Sequence, residues 1–95
     1  MRAYEVMYIL LPTLSAEEQD ALVTRFTDLI TSMNGTVEKT DRWERRHMAY
    51  EIRGFRDGYY VVVRFQGDPA LQAEMDRQMK LTESILRHII LRRDE

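Results

Sequence analysis

Apolar positions recur along this chain with two different periods, and each change of period marks out an element. From Tyr4 to Leu11 nearly every residue is aromatic, aliphatic or β-branched, the pattern of a central strand, and Pro12 ends it. Ser15-Ala16-Glu17-Glu18 then fits a capping box: Ser15 caps a helix, Glu18 reaches back, and Leu14 takes the place of a hydrophobic staple. Leu22, Phe26, Leu29, Ile30 and Met33 follow at helical spacing and make one apolar stripe. Asn34-Gly35 stops the helix, with Gly35 expected to take a positive φ.

Thr36 to Arg53 reads as a long strand with a fault in its alternation. Val37 and Trp43 are odd-numbered, while Met48, Tyr50 and Ile52 are even-numbered. One residue of offset turns every side chain to the other face. A β-bulge between Glu44 and His47 would repair the parity and bend the strand. Gly54 to Gly58 reads as a polar turn. Tyr59 to Gln66 is a second clear strand, with Tyr59, Val61, Val63 and Phe65 on one face and Tyr60, Val62, Arg64 and Gln66 on the other. Asp68-Pro69 opens a helix with a cap and a proline at its first position, and Leu71, Met75 and Met79 form its stripe. Ser84 to Arg92 reads as the last strand, with Ile85, Leu86, Ile89, Ile90 and Leu91 as its apolar content.

The order is β-α-β-β-α-β. It predicts an α+β, ferredoxin-like sandwich, in which a four-stranded antiparallel sheet carries two helices on one face and residues 1–95 form one domain. The long second strand is then an edge, and the other sheet face is open.

Composition narrows the class. The 95 residues suit one modest core. There is no cysteine, hence no disulfide framework and no Cys-based metal or redox site. The apolar runs Met7 to Leu11 and Tyr59 to Val63 are too short to cross a bilayer. Glu5 interrupts anything like a signal peptide, so the expected location is the cytoplasm. The net charge of −2 argues against a generic nucleic-acid binder, which is usually basic. Any contact with RNA must then come from a local patch or with a basic partner's help.

Catalytic chemistry finds little support. His47 and His88 stand outside metal-ligand spacing such as His-x-x-x-His and read as surface or sheet-face histidines. Glu17, Glu18, Asp20, Asp28, Glu74 and Asp76 fall where helix caps, first turns and solvated faces predict them. Acylphosphatases share the topology, but the turn from Leu11 to Ser15 lacks the glycines and basic residue of an anion-binding loop. Met33, Met75 and Met79 read as core gap-fillers. No catalytic residue, cofactor or metal is expected.

The positive charge is more informative. Arg42, Arg45, Arg46 and His47 surround the predicted bulge, Arg53 and Arg56 lie just beyond, and Trp43, Tyr50, Phe55 and Tyr59 interleave with them. Arg87, His88, Arg92 and Arg93 form a second group, and Arg2 opens the first strand. Most of the acid lies on the helices. Arginine suits forked phosphate contacts and stacking, and neighbouring aromatics can stack on bases or pack on a partner. The same arginines also suit a charged strand edge that blocks edge-to-edge pairing. The edge strand could equally dock another protein or a second copy of the chain.

Asp41-Arg42-Trp43-Glu44-Arg45-Arg46-His47-Met48-Ala49-Tyr50-Glu51-Ile52 resembles the second-strand signature of the bacterial ribosomal protein S-six family: Trp-Gly and a basic run, then Leu-Ala-Tyr and Ile. Met1 to Glu5, Gly58-Tyr59-Tyr60 and Glu83 to Arg87 are similar to further family positions, in order along the whole chain. Glu44 stands where the family has glycine, and Met48 replaces leucine, a volume-conserving swap. The resemblance implies a non-enzymatic protein of the small ribosomal subunit. It would bind the central domain of small-subunit rRNA, on the platform, as a heterodimer with the small basic ribosomal protein S-eighteen. It carries RNA or partner contact onto Arg2, Arg45 and Arg46, with Arg42, His47, Tyr50, Arg53, Arg87, Arg92 and Arg93 as further candidates.

Overall fold

The computed structural model describes residues 1–93. Strands and helices alternate as β1 (Arg2–Leu10), α1 (Ala16–Ser32), β2 (Thr36–Ile52), β3 (Phe55–Gly67), α2 (Pro69–Leu81) and β4 (Ile85–Arg93). The sheet order is β2-β3-β1-β4, with every neighbouring pair antiparallel. This is the ferredoxin-like arrangement, and β2 is an edge strand. Among the described residues no helix is long and apolar enough to cross a membrane.

The core lies between one sheet face and the helices. Tyr4, Val6, Tyr8 and Leu10 of β1 meet Val61, Val63 and Phe65 of β3, with Val23, Phe26 and Ile30 of α1 and Leu71, Met75 and Met79 of α2 above them. Burying each large side chain contributes roughly 1.5–3 kcal/mol. Tyr4 stacks on Phe65 at 5.5 Å between ring centroids, and Tyr8 meets Phe26 at 5.8 Å. The Tyr8 hydroxyl is buried with no hydrogen-bond partner among the described residues. Burial pushes its ionisation well above the usual phenol range.

Both caps of α1 follow chain chemistry. Glu18 N–H donates to Ser15 Oγ at 3.1 Å, and Ser15 N–H donates to Glu18 Oε1 at 2.9 Å. At the C-terminal end the expectation for Gly35 is corrected. Asn34 takes the left-handed conformation, with φ of 64°. Gly35 serves close packing instead: a Cβ there would lie 2.8 Å from the Gln66 carbonyl oxygen and 2.7 Å from Leu71. At α2, Asp68 occupies the cap position before Pro69, yet its side chain makes no cap hydrogen bond.

The turn between β2 and β3 is also shorter than the sequence suggests. Ile52 pairs with Phe55, leaving Arg53 and Gly54 as a two-residue turn with φ of 51° and 85°. Positive φ at both central positions is what a type I′ hairpin turn needs. Phe55 to Gly58 therefore belong to β3. Gly58 sits inside the strand because a Cβ would come within 2.7 Å of the Leu10 carbonyl oxygen and 2.6 Å of Ile9.

The parity fault in β2 is real, and it recurs. Arg42 pairs with Val61 and Arg45 with Tyr59, so Trp43 and Glu44 together oppose Tyr60. This bulge begins one residue before the expected span and shares Glu44 with it. A second shift falls between Val37 and Lys39, and a third between His47 and Ile52. Glu44, standing where the family's glycine would be, has no positive φ. The bulge does not depend on glycine.

Candidate nucleic-acid interface

Alternation on β3 assigns the faces. Val61, Val63 and Phe65 point to the helices, so Tyr60, Val62 and Arg64 point to the open face. The open face also carries Met7, Ile9, Ile89 and Leu91, and Leu91 is exposed. The bulge at Trp43–Glu44 places Trp43 on that face, where its ring stacks on Tyr60 at 5.7 Å and 17° between planes. The Arg46 guanidinium lies 4.7 Å from the indole centroid.

The neighbouring arginines have different surroundings. Arg42 is on the helix side of β2 and pairs with Asp20 of α1. Arg45 Nε donates to Asp57 Oδ2 at 2.6 Å. That bond and its charge hold the Asp57 carboxyl below its ordinary range and the Arg45 guanidinium above its own. His47 is exposed opposite Asp57. Arg46 has no carboxylate partner among the described residues.

Tyr50, Arg53 and Arg87 form a second group. The last residues of β2 fold over the open face, so that the Tyr50 hydroxyl accepts a hydrogen bond from Arg87 of β4. Arg53 donates to the Glu83 carbonyl at 2.7 Å. Beneath this arm lies an apolar groove of about 160 Å³ lined by Met7, Ile9, Ile52, Tyr60 and Ile89, with Tyr50 and Arg87 at its polar edge. Among the described residues no carboxylate, histidine or cysteine lines it.

Arg2, Arg92 and Arg93 sit at the far end of the sheet. Arg2 is exposed and paired in register with Gly67. Arg92 pairs with Tyr4, and Arg93 donates to the Tyr4 carbonyl and pairs with Glu38 of β2. Strand rise puts roughly 20 Å between this group and the Tyr50 arm. The candidates therefore occupy three places rather than one patch. Among the described residues no His, Cys, Asp and Glu grouping could hold a metal ion.

Tyr60 and Asp57 belong to the site and were not singled out by the sequence. Tyr60 supports Trp43, and Asp57 neutralises Arg45. Only the register brings them there, and the register depends on a bulge whose position the sequence indicates to within a few residues.

A family model described as Ribosomal protein S6 matches residues 3–92. The chain is 44% identical over 95 residues to the small ribosomal subunit protein bS6 of Moorella thermoacetica, covering 100% of this chain and 97% of that protein. It is also 44% identical over 94 residues to the bS6 of Desulforudis audaxviator, covering 99% and 100%. The crystal structure of 30S ribosomal protein S6 from Thermotoga maritima superposes with a TM-score of 0.91 at 34% identity, covering 97% of this chain and 87% of that one.

Proposed function

The chain belongs to the ribosomal protein S6 family, a structural and non-enzymatic component of the small ribosomal subunit, and from that premise we propose that it binds the central domain of small-subunit rRNA, on the platform, together with ribosomal protein S-eighteen. Its place is then the ribosome, in the bacterial cytoplasm.

The observation that carries this reading is the aromatic and basic cluster of Trp43, Tyr60 and Arg46 on the open sheet face. The rest of the charge explains the need for a partner. Arg42, Arg45, Arg56, Arg64 and Arg77 are each paired with a carboxylate of the same chain. These surface pairs contribute little to stability, but each lowers the positive field offered to phosphate. With a net charge of −2, the chain alone neutralises few phosphates, and a basic second protein supplies the remainder. Arg2 and Arg46 are the primary contacts, and Arg45 joins them by giving up Asp57. Arg42, His47, Tyr50, Arg53, Arg87, Arg92 and Arg93 divide between RNA and partner.

The test is affinity for a central-domain rRNA fragment, with and without S-eighteen, across a range of salt. Weak binding alone, much tighter binding with the partner and a steep loss with salt are expected. Tight binding by the lone chain, or none with the partner present, would sink the mechanism. The competing idea of a self-associating module predicts a stable homodimer, and sedimentation of the full chain should show a monomer.

A further inference from the structure

Trp43 is the chain's only tryptophan, and it lies on an edge strand rather than in the core, 39% exposed. Its ring is nonetheless held in one orientation. Tyr60 stacks on it nearly parallel at 17°, and the Arg46 guanidinium sits 4.7 Å from its centroid. An aromatic already ordered in the free protein loses less conformational freedom when it binds a flat ligand. Arg46 has no carboxylate partner among the described residues, whereas Arg42 and Arg45 do. It can leave the indole without breaking an ion pair.

We propose that Trp43, backed by Tyr60, is a stacking site for an unpaired RNA base, and that Arg46 moves from the ring to the adjoining phosphate when the base arrives. The inference rests on the RNA-binding reading above and adds a subsite to it, with a requirement for single-stranded RNA. A base inside a duplex has both faces covered by its neighbours, whereas a base in a loop or bulge offers a free face. Charge favours RNA over an apolar protein segment as the occupant. Glu44, Arg45, Arg46 and His47 follow the indole in sequence, and while Asp57 neutralises Arg45, the Arg46 guanidinium at the ring has no carboxylate partner among the described residues.

The experiment uses the full chain, the basic partner protein and a central-domain rRNA fragment, with Trp43→Leu, Trp43→Phe and Arg46→Ala as variants. Trp43→Leu should weaken RNA binding about tenfold or more. Trp43→Phe should recover most of that loss. Indole emission should be quenched on adding the fragment, with Trp43→Phe giving the background from the partner. Trp43→Leu should leave the salt dependence unchanged, because no phosphate contact is lost, while Arg46→Ala should reduce it by about one counterion. A duplex of the same length should neither quench nor discriminate among the Trp43 variants. Circular dichroism confirms that each variant is folded.

Wild-type affinity in Trp43→Leu, together with weakened binding in Arg46→Ala, would overturn the stacking site and leave the RNA-binding reading intact. Loss of partner association without loss of RNA affinity would show that the indole packs on protein, which also overturns it. No binding by any form, wild type included, would overturn both readings.

Discussion

The phenolic oxygen of Tyr50 on β2 accepts a hydrogen bond from the guanidinium of Arg87 on β4, although β3 and β1 lie between those strands in the sheet. The same guanidinium lies 5.7 Å from the Tyr50 ring centroid. With the Arg53 bond to Glu83, this contact holds the hairpin end down over the open face. The extra residues between His47 and Ile52 give β2 the slack to bend there.

Tyr50→Ala should therefore speed amide exchange in residues 48–55 and leave the core amides of β1 and β3 unchanged. Global stability should fall by no more than about 1 kcal/mol, because the contact is exposed. Tyr50→Phe keeps the ring against Arg87 and should give an intermediate effect. Unchanged exchange in Tyr50→Ala would mean that the backbone ladder alone holds the arm.

Tyr8→Phe should leave stability unchanged or raise it by a few tenths to about 1 kcal/mol, read from a urea midpoint. The buried hydroxyl makes no compensating hydrogen bond among the described residues, so removing it relieves a desolvation cost. Tyr8→Ala, which removes the ring beside Phe26 as well, should cost about 3–5 kcal/mol. A loss of more than about 1 kcal/mol in Tyr8→Phe would show that the hydroxyl does have a partner.

How much the sequence revealed depended on how local the cause was. The capping box was legible because Ser15 and Glu18 are three residues apart and each satisfies the other. The Trp43 bulge was legible because burial on one sheet face imposes a strict parity. The two-residue turn was not, because Arg53 carries none of the usual turn chemistry and Gly58 imitated a turn residue. Val23 of α1 is buried although it lies outside the stripe that the spacing predicts. The pairing of Arg42 with Asp20, of Arg45 with Asp57 and of Tyr50 with Arg87 left no trace in the sequence. Each joins residues that meet only through the tertiary register.

The two glycines near the hairpin should respond differently to alanine. In Gly58→Ala the new Cβ meets backbone, the Leu10 carbonyl oxygen at 2.7 Å, and the loss should be about 1–3 kcal/mol. Gly54→Ala meets nothing within 4 Å, and its cost of about 1 kcal/mol comes from the positive φ alone. Gly54→Asn should recover part of that loss, because asparagine tolerates the left-handed region, whereas Gly58→Asn should recover nothing. Thermal melts of the four variants check the contrast.

Acid should weaken the fold gradually. Arg77 and then Gln78 bond the Glu74 carboxylate and lower it from 4.5 to about 2. Lys80 and then His88 lower Asp76, Arg45 lowers Asp57, and the Ser15 backbone N–H lowers Glu18. For a depressed carboxyl the unfolded chain binds more protons in the window between the two values, so stability rises with pH there. Each contribution is complete above the ordinary carboxylate range and is lost as pH falls through the lowered value, which for Glu74 is about 2. All these groups are at the surface, so the slope should be shallow. Glu74→Gln should flatten its lowest part, and denaturation midpoints measured from pH 6 down to about 2 test the sign.

Arg45 and Arg46 are adjacent in sequence but should not behave alike. Arg45 is bonded to Asp57 at 2.6 Å, while Arg46 rests on Trp43 with no carboxylate partner among the described residues. To reach a phosphate, Arg45 must first leave Asp57, and the freed carboxylate then repels the same phosphate. Arg46 has only a ring contact to give up. Arg46→Ala should therefore weaken binding to the central-domain fragment more than Arg45→Ala does, and should reduce the salt slope by about one. Asp57→Asn should strengthen binding by releasing Arg45, and that gain should vanish when Arg45→Ala is added, a coupling that a double-mutant cycle reads directly. The Arg45→Ala, Arg46→Ala double variant should lose assembly with RNA and partner while melting within a few degrees of wild type, since both side chains are exposed. If the double variant unfolds instead, the two arginines serve the fold rather than the interface.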